Sequence, residues 1–273
     1  MFSRRNYRPA AFRLPLVPAS LLLWMTMSVT SVHAQTIHVS IQGKPVEGKP
    51  IYWKDDFVAL MERDGNLVTF APNKASDYRQ VSPSFKSHSQ SDLRGELQTE
   101  FGRSFEVTGT GHYLVVHPAG QRDKWADRFE QLYRSMHHYF RARSFALKNP
   151  EFPLIAIVFP TQQSYLRFAQ QNGRRVSSST LGYYDPESNR IQMFDITANR
   201  ENFADWYTNA ETIIHEAAHQ TAFNVGIHNR FAVTPRWLIE GLGTLFEAPG
   251  VWDSHAHPDA TQRVNRAQLE YYR

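Results

Sequence analysis

The stretch His215-Glu216-Ala217-Ala218-His219 decides how the rest of the chain is interpreted. On an α-helix, residues four apart lie on the same face, with Cβ atoms about 6 Å apart. Two imidazoles at that spacing can converge on one tetrahedral zinc ion at about 2.0–2.1 Å each. Glu216 lies beside that face, where its carboxylate can take a proton from a water that the metal activates. The motif therefore predicts a hydrolytic zinc site with His215 and His219 as ligands and Glu216 as the general base.

Apolar residues around the motif predict a partly buried helix over 209–224 that ends near Gly226. Phe223 lies one turn beyond His219. The residues that form one apolar face are Ile213, Ile214, Ala217, Ala218 and Ala222. This burial is typical of an active-site helix at the floor of a cleft. The alternative interpretation is that His215 and His219 are surface residues of an ordinary helix.

A catalytic zinc needs a third protein ligand and one open position. The metzincin spacing requires Gly at 222 and His or Asp at 225, and the chain has Ala222 and Val225 there. A Glu from a later helix is the remaining layout. The stretch 235–247 predicts that helix, with Thr234 as N-cap and Pro235 in its first position.

The predicted second helix offers Glu240 and Glu247 as the third ligand. We favour Glu240, because the small residues Gly241 and Thr244 lie on nearly the same face and would let this helix approach the histidines. Glu247 lies near the helix end, where it could equally cap the helix or face solvent. The alternative for Glu240 is an ordinary surface carboxylate.

This combination resembles the gluzincins, thermolysin-like zinc hydrolases whose third ligand is a Glu on a following helix, often within Trp-x-x-Glu-Gly. Trp237–Gly241 has that form. More closely, residues 92–273 resemble a family of uncharacterised secreted bacterial proteins of planctomycete type. The matching segments are Gly182-Tyr183-Tyr184, Ser188-Asn189-Arg190, His215–Gln220 and Pro235–Gly241. The resemblance implies a gluzincin fold and metal site, with Zn²⁺ as the cofactor, and it implies no particular substrate.

Outward from the motif, the pattern predicts an α+β domain over 92–273. A helix is expected over 92–101, and an amphipathic helix over 122–143 carries Trp125, Phe129, Leu132, Met136 and Phe140 at three- to four-residue spacing. The apolar run 154–159 predicts a central strand, and 181–185 with 190–195 predicts a hairpin. This order of sheet, backing helix and helix pair is typical of a zincin-like fold.

The segment before this domain differs in character. Residues 35–82 predict a small β-rich module, in which Asp64-Gly65-Asn66 joins two strands as a hairpin. Residues 83–91, rich in Ser, Lys and Gln, predict a linker. We expect the module to assist attachment to a surface or a substrate.

The first 34 residues predict a signal peptide that ends in Val32-His33-Ala34. The alternative is an uncleaved membrane anchor, but Pro15 and Pro18 shorten the apolar run below the ~20 residues that a membrane span needs. We therefore expect an exported bacterial protein, periplasmic or secreted, with no stable membrane span after removal of the leader.

Charge and cysteine content limit which partners and which chemistry we expect. The leader carries four arginines and no acid, so the remaining chain has as many acidic as basic residues, and a nucleic-acid partner is not expected. The chain has no cysteine, which excludes disulfides, thiolate catalysis and cysteine-based zinc sites.

Weaker candidates surround the motif. An oxyanion donor could come from His228, Tyr183, Tyr184 or Arg236, each of which also suits a structural role. Glu211 could accept a hydrogen bond from a ligand histidine, although the sequence favours a solvated first-turn acid that the helix dipole stabilises. The stretch 190–195 is our candidate for a sheet-edge strand that pairs with an extended peptide, and a buried hairpin strand is the alternative.

The sequence favours a zinc peptidase with a peptide or protein substrate. Two alternatives stay open: a non-catalytic binding protein stabilised by zinc, and a zinc hydrolase acting on cell-wall amides or another bond. Glu216 favours catalysis, because a structural zinc site does not need it. The oligomeric state is not predictable from the sequence.

Overall fold

The computed structural model describes residues 35–197 and 203–271. The leader predicted over 1–34 lies outside the described residues. The strands are β1 Thr36–Ile41, β2 Lys44–Trp53, β3 Val58–Glu62, β4 Leu67–Phe70, β5 Ala75–Ser82, β6 Phe105–Gly109, β7 Tyr113–Pro118, β8 Leu154–Phe159, β9 Gly182–Asp185 and β10 Arg190–Phe194. The α-helices are α1 Gln90–Phe101, α2 Arg122–Arg141, α3 Gln162–Gln171, α4 Phe203–Val225, α5 Arg236–Glu247, α6 Pro249–Trp252 and α7 Arg266–Tyr271. The predicted α+β class is confirmed.

The N-terminal sheet is antiparallel, with strand order β4-β3-β2-β1-β5. Its core is formed by side chains that alternate along the strands, as the period-two pattern predicts. They are Ile37, Val39, Val58, Leu60 and Phe70. The predicted β3–β4 hairpin is confirmed: Gly65 has a φ of 92°, and the Asn66 N–H donates to Asp64 Oδ1 over 2.9 Å.

The second sheet is mixed, with strand order β6-β7-β8-β10-β9. β8 pairs in parallel with β7 and β10, and all six of its residues are buried, so the predicted central strand is confirmed. The prediction of an edge strand over 190–195 is wrong, because β10 lies between β8 and β9. Both faces of β10 are buried, which its apolar residues allow. Within the described residues, β9 ends the sheet.

Helices cover both faces of this second sheet. On one face, α2 presents its predicted stripe, and all five stripe residues are buried against α4 and the sheet. On the other face, α1 and α3 pack through Leu93, Leu97 and Tyr165. The sheet therefore forms the middle layer, and α4 lies on the face that it shares with α2.

Three helix starts differ from the prediction. α1 begins two residues earlier, where Ser89 and Asp92 form a capping box. α4 begins at Phe203 instead of residue 209. α5 begins at Arg236 with Pro235 as N-cap and no side-chain capping bond, so the prediction of Thr234 as N-cap is wrong.

The two sheets belong to one structural unit. The Leu67 N–H donates to the Glu187 carbonyl over 2.8 Å, and Arg230 Nη2 donates to the Gly65 carbonyl over 2.9 Å. Lys49 and Glu151 form an ion pair. The assignment of 35–82 and 92–273 as separate domains stays a prediction. In the described ranges, no helix is long and apolar enough to cross a membrane.

Gln220 joins α4 to the sheet. Its buried Nε2 donates to the Ile155 carbonyl over 3.0 Å and to the Asn189 carbonyl over 2.7 Å. These two carbonyls belong to β8 and to the turn before β10. Gln220 therefore fixes the height of the motif helix over the sheet.

We expect Gln220→Ala to lower the free energy of unfolding by about 2–4 kcal/mol, because it leaves two carbonyls without their donor in a buried setting. Urea denaturation measures this loss. Gln98→Ala is the matched control, since Gln98 Nε2 also donates to two carbonyls but is exposed to water. Equal losses for the two variants would contradict the role assigned to Gln220.

Candidate metal site

The motif histidines lie one helical turn apart on α4 and face α5. Their ring centroids are 4.5 Å apart and the rings are perpendicular. His219 is buried and His215 is partly buried. The spacing in the sequence therefore produces the shared face that it predicts.

α5 brings the Glu240 carboxylate to both rings. Glu240 Oε2 lies 3.4 Å from His215 Nε2 and 3.7 Å from His219 Nε2. One ligand atom from each of the three residues lies within 4.8 Å of the other two. Two ligands that each lie about 2.1 Å from a tetrahedral ion are about 3.4 Å apart. The structure thus brings together the three predicted ligands at a spacing that fits zinc, and their nitrogen and oxygen atoms are zinc donors.

The protonation of His219 suits a ligand better than an ion pair. Burial, with a further contribution from His215, lowers the pKa of His219 below its usual range. The ring is therefore neutral at pH 7, which leaves a nitrogen lone pair for a cation. Its Nδ1 is buried and has no hydrogen-bond partner among the described residues.

His215 is oriented by Glu247. Its Nδ1 lies 2.6 Å from Glu247 Oε1, and Asn265 Nδ2 donates to Glu247 Oε2 over 2.6 Å. This contact directs Nε2 of the ring towards Glu240. Burial lowers the pKa of His215, but the hydrogen bond to Glu247 and the nearby carboxylates outweigh it, so the pKa is raised.

Glu247 therefore has the role for which the sequence offered Glu211 as a candidate. Glu211 lies at the surface. Partial desolvation of its carboxyl, together with the charge of Glu247, raises the pKa of Glu211. Glu247 could have been identified, because residues seven apart lie on the same face of a helix and Glu247 is seven after Glu240. Asn265 gives no comparable signal, since it lies in the segment after α6.

Gly243 is the residue that lets α5 approach the histidines. It is buried, and a Cβ placed there would lie 2.7–3.0 Å from three atoms of the His215 ring. The expectation that Gly241 and Thr244 permit this approach is wrong for Gly241, which is exposed and has open space around its Cβ position. Gly243 lies two residues further along the helix, almost on the opposite side from Gly241.

Glu216 lies between α4 and the end of the sheet. Its Oε2 accepts the backbone N–H of Tyr184 in β9 over 2.6 Å. Burial raises the pKa of Glu216 to about 7, against the lowering effects of His215 and of the Tyr184 N–H. A carboxyl with this pKa can both accept and return a proton near neutrality.

The four candidate oxyanion donors differ in burial and in hydrogen bonding. Tyr183 donates its hydroxyl to Gln192 and Tyr184 donates its hydroxyl to Asn189, both over 2.8 Å. Arg236 is exposed, and its Nε lies 3.5 Å from Glu240 Oε1. His228 is buried, burial lowers the pKa of its ring, and its Nε2 has no hydrogen-bond partner in the described part of the chain. Only His228 of the four retains an uncommitted buried polar atom near the site.

The C-terminal part of the chain matches a model of a protein family. A family described as a protein of unknown function, DUF1570, matches residues 209–273, which include the motif, Glu240 and Glu247. No curated protein matches the chain.

We expect Gly243→Ala to weaken zinc binding at least about tenfold, because the added Cβ displaces the His215 ring from its orienting contact. Titration against a chelating zinc indicator measures the affinity. Gly241→Ala, on the same helix with open space, is the matched control and should bind zinc as the wild type does. An unchanged affinity in Gly243→Ala would show that the close approach does not hold the ligand.

Glu240→Gln and Glu247→Gln separate a ligand from an orienting residue. We expect Glu240→Gln to lose more than roughly 100-fold in zinc affinity, and Glu247→Gln to lose about 10–100-fold, as is typical when a ligand histidine loses its hydrogen-bond acceptor. The same indicator titration compares them. The reverse order would identify Glu247 as the ligand.

Proposed function

We propose that this protein is a zinc-dependent hydrolase that cleaves peptide bonds, with His215, His219 and Glu240 as metal ligands and Glu216 as the general base. The observation that carries the proposal is the convergence of the three ligand atoms within 4.8 Å, beside a partly buried carboxylate whose pKa is near 7. The order of mixed sheet, backing helix α2, motif helix α4 and Glu-bearing helix α5 agrees with a gluzincin-like fold.

Zinc held by these ligands would polarise a substrate carbonyl and lower the pKa of a water in its open position. Glu216 would take a proton from the attacking water and return it to the departing amine, so that one water adds across the broken amide bond. The Tyr184 N–H fixes the orientation of Glu216 before the reaction. His228 could donate to the carbonyl oxygen as negative charge develops.

The outer edge of β9, which is the last strand of its sheet in the described part of the chain, favours an extended peptide as substrate. In the β9–β10 pair, the Phe194 N–H donates to the Leu181 carbonyl, so alternate residues of β9 direct their backbone groups to β10. The backbone N–H of Tyr184 points away from β10 and donates to Glu216. A peptide that added as a further strand would therefore lie with its backbone beside the general base.

A non-catalytic zinc protein is the second candidate, and two observations disfavour it. Structural zinc sites are closed by four protein ligands, whereas the group described here has three. Such a site also has no need of Glu216. A hydrolase of cell-wall amides shares the same chemistry, and the outer edge of β9 is the feature that favours peptides over it. Export from a bacterial cell is part of the proposal and rests on the leader.

Cleavage of a proteome-derived peptide library by the zinc-loaded protein tests the function, with products identified by mass spectrometry. We expect defined cleavage sites for the wild type and a loss of at least about 100-fold in rate for Glu216→Gln, which lacks the base. Glu211→Gln, one turn earlier on α4, is the matched control and should cleave at the wild-type sites. Identical profiles for wild type and Glu216→Gln would refute the assignment of the base.

A further inference from the structure

Several exposed apolar side chains lie together on the surface. Of the twelve large apolar residues that lie exposed in the described ranges, four share one region, and Val233 is the most exposed of the twelve. The four are Tyr52, Phe57, Phe231 and Val233. Apolar side chains gathered on an exposed surface mark an interaction site.

Part of this region is a groove of about 650 Å³. One wall comes from β2–β4 and the β2–β3 loop, through residues that include Tyr52 and Phe57, whose rings lie 5.8 Å apart. The other wall is the loop between α4 and α5, which includes Phe231 and Val233. The volume is that of a site for a few amino-acid side chains.

The walls of the groove are held together independently of any ligand. Arg230 donates from Nε to the Pro186 carbonyl over 2.8 Å, and from Nη2 to the Gly65 and Glu187 carbonyls. These bonds connect the α4–α5 loop, the β3–β4 hairpin and the β9–β10 turn. The groove is thus formed in advance, which reduces the ordering required on binding.

The groove lies within reach of the candidate metal site. Val233 is seven residues before Glu240, and helical geometry from Arg236 onward limits the separation of their Cα atoms to at most about 17 Å. Trp237 and Leu238 lie between these two residues in the chain and are exposed. An extended peptide rises about 3.4 Å per residue, so about five residues or fewer cover the distance.

We propose that the groove binds an apolar or aromatic side chain of a polypeptide substrate, within about five residues of the bond that is cleaved. This inference rests on the proposed function. The groove is concave, which a bilayer surface does not match, and its lining includes both Lys54 and Asp56, which suit a polypeptide carrying charges of both signs. The small β-sheet thereby contributes to substrate selection.

A set of fluorogenic peptides tests the proposal, all built on a cleavage site found in the peptide library. The short peptide spans two residues on each side of the cleaved bond. The long peptides extend it in either direction, with Phe or Ala at one position up to about five residues away. We expect kcat/KM to be about tenfold higher for the best Phe peptide than for its Ala counterpart, as is typical for one apolar side chain in a pocket.

Variants on the two walls test whether the higher kcat/KM of the Phe peptide arises in the groove. Tyr52→Ala and Val233→Asp should remove the advantage of Phe and leave kcat/KM for the short peptide unchanged. Val81→Asp is the matched control, because Val81 is also exposed but does not line the groove. Sedimentation of the wild type and Val233→Asp, alone and with lipid vesicles, accompanies the kinetics.

If the short peptide is cleaved, but Phe raises kcat/KM above the Ala value in neither direction, the groove proposal is overturned and the proposed function is left intact. If both wall variants still cleave the Phe peptide with a higher kcat/KM than the Ala peptide, the groove proposal is also overturned. Self-association or vesicle binding that Val233→Asp abolishes would assign the surface to a second copy or to a membrane instead. Failure to cleave any peptide overturns the proposed function, and the groove proposal with it.

Discussion

The contact between Gly243 and the ring of His215 is the constraint on which the candidate site depends. Because residue 243 has no side chain, α5 lies directly against the imidazole, and both Glu240 and Glu247 reach His215 from the same helix. Glu240 meets its Nε2 and Glu247 meets its Nδ1, so a single ring is held at both nitrogens. His219 then completes the group from the next turn of α4. A larger residue at 243 would separate the helices, and the carboxylates would no longer reach the rings in this arrangement.

The opposite side of α4 is fixed by hydrogen bonds to the sheet. Gln220 joins the helix to β8 and to the turn before β10, and Asn189 in that turn accepts hydrogen bonds from Tyr184 and Asn224. This network positions β9 beside the helix, so that the Tyr184 N–H meets Glu216. Glu216 is consequently desolvated and directed at the same time, which is the condition for a general base that works near neutral pH. The proposed metal ligands and the proposed base therefore depend on different supports, α5 for the ligands and the sheet for the base.

Features that depend on local spacing could be predicted from the sequence. The stripe of α2, the buried run of β8 and the pair His215 and His219 each follow from one period along one element. Features that depend on how distant elements pack could not. The apolar residues of β10 fit an interior strand and an edge strand alike, and only pairing with β8 and β9 decides between them. Likewise, only the packing of α5 against α4 determines that the side carrying Gly243, rather than the side carrying Gly241, meets His215. The groove requires the β3–β4 hairpin to dock on Arg230, a contact between residues 165 positions apart in the chain.

X-ray absorption spectroscopy of the zinc-loaded full chain tests the central claim most directly, because it reports the atoms that surround the metal in solution. The account predicts a four-coordinate ion with two imidazole nitrogens, one carboxylate oxygen and one solvent oxygen at about 2.0–2.2 Å, and the loss of one imidazole from the first shell in His219→Ala. A spectrum without imidazole scattering, or one that is unchanged in His219→Ala, would contradict it.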